Sequence, residues 1–232
     1  KYFLKFKFIG SIHGVKSNNR IFNYADYVIG ANKKLLNGIQ SPNSVVHNWY
    51  RLSSAEKHKS RHALAVGRLE KVKGFDLLIK SWINIKTPLL IVGSGSEKES
   101  LVALIQELNL TNKISIINWV EQGELFKLYA QSKVLIISSR SEGGPRVALE
   151  ALANNLPVLS TDVGHMNLIL PQEILAEPDN LESLQSLMES YVDNIINLNQ
   201  ESIFEFVKQE FSLAKQADKV MNVYLSVLNK DS

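Results

Sequence analysis

An α/β fold with a Rossmann-like, doubly wound parallel sheet is what this sequence predicts, on three observations. First, short aliphatic and β-branched runs recur at residues 63–66, 89–92, 114–117, 134–138 and 157–160, with a weaker sixth at 174–176. Second, each run is apolar nearly throughout, the pattern of a strand buried on both faces. Third, segments of helical character lie between them, near 75–84, 97–108, 123–131 and 145–154. Strands alternating with helices of this length give βα units on a parallel sheet.

The flanks read differently. Residues 5–12 and 27–29 predict strands, 33–39 a short helix, and 44–46 a strand leading into the next unit. The chain begins with Lys1, in the middle of what reads as structure. Residues 1–46 are therefore expected to be the end of a first domain, and 47–210 a ligand-binding Rossmann-like domain. The polar stretch 50–61 reads as an exposed connector. Two tail helices are expected, at 181–195 and 202–228. In the second, Phe204, Val207 and Phe211, then Ala217, Val220, Met221, Tyr224 and Leu228, recur at helical spacing. Residues 211–232 would pack back on the first domain.

Composition narrows the function. The 232 residues are 45% hydrophobic, enough for a sizeable core, and the net charge of +3 does not imply nucleic acid. Without cysteine there is no disulfide or thiolate metal site, and a reducing cytoplasm is the default. No apolar run approaches the ~20 residues of a spanning helix, and no signal peptide is recognisable. The alternation of basic and aromatic residues over 1–8 fits a strand, or contact with a membrane surface.

In open parallel sheets ligands bind beyond the carboxyl ends of the strands. The first run is followed by Gly67, Arg68, Lys73 and Gly74, the second by Gly93-Ser94-Gly95, the third by Asn118, Trp119 and Val120. Glu142-Gly143-Gly144-Pro145 follows the fourth, and Asp162, Gly164 and His165, of open role, follow the fifth. Pro145 suits a first helical position, and glycines ahead of a helix leave amides free for an anion. Glu150 lies in the second turn and its side chain tilts back toward the N-terminus, so Glu142 and Glu150 are expected to face one pocket and bind ligand hydroxyls such as those of a sugar. A helix-dipole role for the first and a solvated second remain open. Arg68 and Lys73 suit a diphosphate, or are surface cations beside Lys71.

Other motifs are incomplete or missing. Gly93-Ser94-Gly95 begins a dinucleotide fingerprint, but Lys98 stands at its third glycine position, so a tight turn fits better. No Walker-type loop is present, no two Asp residues are separated by a single residue, and the five His show no metal-ligand spacing. His13, after a strand, is a site candidate or a structural histidine.

Together these segments resemble the GT4 family of retaining glycosyltransferases over about 25–224. The most specific stretch runs from Ser138 to Ala151, with two Glu separated by seven residues, followed by Leu156-Pro157-Val158. Val66-Gly67-Arg68-Leu69 with Lys73-Gly74 is similar to the family's phosphate-contact segment, and 25–29 to its first-domain closing strand. The resemblance implies a GT-B fold and transfer of a sugar from a nucleotide-sugar, such as a UDP- or GDP-sugar, to a glycan or glycolipid acceptor in cell-surface polysaccharide or glycolipid synthesis. It implies no cofactor and no metal, and a cytoplasmic protein with peripheral contact to the inner membrane face through the first domain. By position, Glu142 would serve the reacting sugar with His13, and Glu150 with Val147 the ribose. Arg68, Lys73, Gly143 and Gly144 would hold the diphosphate, and Trp119 and Val120 the base.

Pro145, Asn118, and Gly164-His165 with Leu168 depart from glycines and a glutamate usual in the family. A GT-B nucleotide-sugar epimerase or phosphorylase, a non-catalytic nucleotide-sugar-binding module, and an NAD-linked enzyme, which the incomplete glycine fingerprint disfavours, stand as alternatives.

Overall fold

The computed structural model describes residues 6–14, 20–52, 62–195 and 198–229. Largely apolar strands stack edge to edge: β4 (His62–Val66), β5 (Leu89–Val92), β6 (Ile114–Ile117), β7 (Ser132–Ile137), β8 (Val158–Thr161) and β9 (Leu175–Ala176). Their order is β6-β5-β4-β7-β8-β9, and every pairing is parallel. The order reverses between β4 and β7, the switch point at which such sheets open a crevice.

Helices α1 (Phe75–Ser81), α2 (Lys98–Glu107), α3 (Gln122–Gln131), α4 (Arg146–Ala153) and α5 (Leu181–Tyr191) cover the sheet. The core between them is continuous, with Leu64, Ile91, Leu135, Leu149 and Leu184 fully buried. Trp82 is buried too, and its indole N–H donates to the Thr87 carbonyl at 2.8 Å, so no polar atom is stranded.

A smaller parallel sheet, β1-β2-β3, is formed by β1 (Ile9–Ile12), β2 (Tyr27–Gly30) and β3 (Asn43–Val45). It has its own apolar cluster, including Ile12, Phe22, Val28 and Leu35. The tail returns to it: Val220 and Val223 of α7 (Leu213–Leu228) pack with Ile9, Tyr27, Ile29 and Val46.

Several predicted bounds change. The helix expected over 202–228 is two: α6 (Glu201–Glu210) ends at Phe211, and Ser212, extended at ψ 148°, caps α7 by accepting from the Lys215 amide at 3.3 Å. The helix expected over 181–195 stops at Tyr191. Beyond it Asp193 accepts from the Lys86 and Thr87 amides, which draws the chain away. The expected helix at 33–39 is one 3-10 turn (Lys33–Leu36), after which Gly38 takes φ 80°. The strand expected over 5–12 is described as β1 alone, residues 1–5 lying outside the described residues. Of the expected connector 50–61, residues 53–61 also lie outside them, and Tyr50 is half-buried with its hydroxyl donating to the Lys208 carbonyl at 2.9 Å.

Gly74 sets how closely two of the loops approach. It sits at φ 66°, and a Cβ there would overlap the Ser138 carbonyl oxygen at the end of β7. The Ser138 hydroxyl returns a bond to the Lys73 carbonyl at 2.9 Å. Gly38 shares the left-handed backbone, but a Cβ there meets open space. Gly38→Ala is expected to cost about 1 kcal/mol, the backbone strain alone. Gly74→Ala is expected to cost more than ~2 kcal/mol, because the backbone must also move. Urea unfolding of the two variants measures the difference, and equal losses would contradict the close-approach account.

Candidate donor-binding site

Close approach of the Lys73 turn to the end of β7 brings Lys73 onto Glu142. The two form an ion pair with both side chains mostly buried, and Glu142 also accepts from the Ser139 hydroxyl at 2.8 Å. The Lys73 stem lies against Gly67, where a Cβ would stand 3.4 Å from its Cδ. Arg140 locks the arrangement. Its guanidinium grips both Asp76 oxygens at 2.7 and 2.8 Å, Asp179 at 2.6 Å and the Lys71 carbonyl at 2.6 Å. Burial pushes the Asp76 carboxyl up, but the Arg140 fork outweighs it and holds the acid below its ordinary value. With four of its five donors committed, Arg140 holds the Lys73 turn in place.

The loop between β7 and α4 is fastened from below. Asn32 donates to the Gly143 carbonyl, and Asn48 to the Gly144 carbonyl at 2.7 Å. A Cβ on Gly143 would overlap the His13 carbonyl oxygen, which places the end of β1 against this loop. Neither glycine amide donates to a protein group among the described residues. They sit just ahead of α4, whose macrodipole favours an anion there.

Glu150 is buried in α4, contrary to the expectation that it shares a pocket with Glu142. It accepts from the Tyr129 hydroxyl at 3.3 Å and faces Arg146, one turn earlier, at 3.6 Å. It lines a cleft of about 360 Å³ with Arg51, Trp119, Val120, Gln122, Leu125, Arg146 and Val147. Glu142 lines a separate cavity of about 330 Å³ with Asn32, Lys34, Arg140, Asp162 and Gly164. Lys73 draws Glu142 one way while Tyr129 and Arg146 hold Glu150 the other. Burial raises the Glu150 carboxyl above its ordinary value, with Arg146 and Tyr129 opposing.

Trp119, Val120, Val147 and Glu150 thus share one cleft, and the Trp119 amide is held by the Ser94 hydroxyl at 3.2 Å. Arg68 stands apart, exposed and paired with Glu70 at 2.6 Å. His13 is exposed, its ring bonded to the Ser11 hydroxyl at 2.8 Å, and only its backbone is placed against the Gly143 loop. Asn32, Asn48 and Tyr129 were missed by sequence reasoning, because each acts through a partner distant in sequence. A broader hollow of about 640 Å³ is lined by residues 181–190 of α5 alone and gathers none of these groups.

Among the described residues no group of three or more His, Asp or Glu could hold a metal ion, and no helix is long and apolar enough to cross a membrane.

Comparison with known proteins bears on the chemistry of this site. The family model for glycosyl transferases group 1 matches residues 50–202. The chain belongs to that family. It is 30% identical over 165 residues to an uncharacterised glycosyltransferase of Haemophilus influenzae, covering 67% of this chain and 45% of the relative. It is 36% identical over 132 residues to the N-acetylgalactosamine-N,N'-diacetylbacillosaminyl-diphospho-undecaprenol 4-alpha-N-acetylgalactosaminyltransferase of Campylobacter jejuni, covering 54% and 36%. The chain therefore spans less than half the length of these relatives. HepE of Anabaena in complex with UDP superposes with a TM-score of 0.81 at 15% identity, over 94% of this chain and 72% of that one. The chain's fold is that of the GT-B glycosyltransferases.

His165 is fully buried between His47 and Phe211, ring centroids 5.6 and 5.4 Å away, and neither ring nitrogen has a hydrogen-bond partner among the described residues. Burial, aided by His47, pushes its pKa down to about 3. The folded protein then binds fewer protons than the unfolded chain between pH ~6.5 and ~3, so stability falls as pH drops through that window. Over pH 6.5 to 4.5, His165→Phe is expected to remove about 2–3 kcal/mol of the pH-dependent loss, at ~1.4 kcal/mol per unit. Urea unfolding at the two pH values tests this, and an unchanged pH dependence would contradict it.

Proposed function

We propose that this glycosyltransferase retains anomeric configuration, takes a UDP- or GDP-sugar, and needs neither metal nor cofactor. Its acceptor would be a glycan or glycolipid of cell-surface polysaccharide synthesis, met at the cytoplasmic membrane face. The observation that carries the reading is the Lys73–Glu142 pair beside the unspent amides of Gly143 and Gly144. Lys73 pairs with the residue just before these amides, and the amides precede α4, so cation, amides and helix dipole would together give a positive field suited to a diphosphate.

The nucleoside would lie in the cleft lined by Trp119, Val120, Val147 and Glu150, with Glu150 accepting from the ribose hydroxyls. The diphosphate would draw Lys73 off Glu142 and Arg68 off Glu70. Glu142, released, would accept from the donor sugar's hydroxyls, with His13 at the mouth of the first unit. As the sugar–phosphate bond breaks, negative charge gathers on the departing phosphate oxygen, where Lys73 and the amides stabilise it. The acceptor hydroxyl adds to the anomeric carbon from the same face, and its proton passes to the departing phosphate oxygen. The Campylobacter relative acts on a diphospho-undecaprenol-linked sugar and HepE binds UDP by their names, which supports this assignment of acceptor and donor class.

Calorimetry in chelator with UDP and GDP, each against its nucleoside, tests the reading. One nucleoside diphosphate is expected to bind without metal. Lys73→Ala is expected to weaken it by roughly 1.5–3 kcal/mol while leaving nucleoside binding unchanged. Arg68→Ala, starting from solvent, is expected to cost less. Binding that EDTA abolishes and Mg²⁺ restores would overturn the metal-free assignment. Equal losses for nucleoside and diphosphate would overturn the role of Lys73.

A further inference from the structure

Asn32 belongs to the small sheet's unit, yet its side chain ends on the donor loop of the larger one. It is 3% exposed and plays two parts at once. Its Oδ1 accepts from the Leu35 amide at 3.0 Å, capping the 3-10 turn Lys33–Leu36, and its Nδ2 donates to the Gly143 carbonyl. The cap fixes which end of the amide faces which way, since only Nδ2 can donate. The Gly143 carbonyl and the Gly144 N–H belong to one planar trans peptide and point in opposite directions. Holding the carbonyl toward Asn32 therefore aims the Gly144 N–H away from it, and that amide has no protein partner among the described residues. Asn48 holds the next carbonyl at 2.7 Å, and the His13 backbone blocks the loop from sinking toward the small sheet.

We infer that Asn32 is a positioning residue: it fixes the Gly143–Gly144 peptide so that its amide meets the donor diphosphate, and so makes donor affinity depend on how the small unit is seated. The inference rests on the proposed donor-binding function of this loop. It also gives glycine at 143 a reason, because a Cβ there would overlap the His13 carbonyl oxygen and push the loop away.

The test uses the 232-residue chain and four probes, UDP, GDP, uridine and guanosine, with a thermal melt for each variant. Asn32→Ser keeps an N-cap acceptor for Leu35 and adds no charge, but is too short to reach Gly143. Its affinity for UDP or GDP is expected to fall roughly tenfold, with nucleoside affinity unchanged. Should Asn32→Ser lose its cooperative melt, Asn32→Thr, which also keeps a cap acceptor and adds no charge but is too short to reach Gly143, is measured in its place. An unchanged diphosphate affinity, or equal losses for nucleoside and diphosphate, overturns the inference while leaving the proposed function standing. Wild-type chain that binds neither UDP nor GDP overturns the proposed function, and the inference with it.

Discussion

Parallel pairing of β4 with β7, with Ala63 opposite Val134 and Leu64 opposite Leu135, sends both chains off the same edge of the sheet. Their continuations then share one small volume: Gly67 to Gly74 from one, Ser138 to Pro145 from the other. The connections run to opposite sides of the β4–β7 seam, so a crevice opens where they part. A left-handed glycine touching the Ser138 carbonyl, an arginine fork on Asp76 and a hydroxyl on the Lys73 carbonyl bring the two loops together. Polar residues hold this region because the loops must approach without stranding backbone groups in a dry interior.

That closeness makes charge the governing quantity of the site. A mostly buried lysine near a helix N-terminus raises the local potential, and Glu142 neutralises it within the free protein. A dianionic ligand can replace Glu142 at little electrostatic cost, whereas a neutral ligand would leave Lys73 with nothing to leave its partner for. Glu150, on the far side of the loop, is held by Tyr129 and Arg146 instead. The two carboxylates, eight positions apart in sequence, thereby face different cavities.

The central strands were legible because burial on both faces writes them as nearly continuous apolar runs, and β5 and β6 fall at the expected residues, although β6 exposes Ser115. The tail break was harder to see, since Phe211 continues the apolar spacing and only Ser212 marks a new start. Glu142, Lys73 and the glycines stand out in the sequence as site candidates, but the pairing of the first two does not, since it depends on the Gly74 contact. Asn32 and Asn48 could not be found from local pattern. Their partners lie 111 and 96 positions away, and an asparagine beside a turn ordinarily signals only the turn. The separation of the two carboxylates was missed for a similar reason: helix geometry gives the tilt of Glu150, but Tyr129 and Arg146 decide where it ends.

Under the proposed function a diphosphate displaces Glu142 from Lys73 on the Gly143–Gly144 loop. A crystal structure of the chain with UDP or GDP bound tests it most directly. Phosphate oxygens are expected within hydrogen-bond distance of Lys73 Nζ and the Gly144 amide, with Glu142 turned away from Lys73 and the nucleoside beside Glu150. A bound diphosphate that leaves the Lys73–Glu142 pair intact, or lies away from the glycine loop, would contradict it.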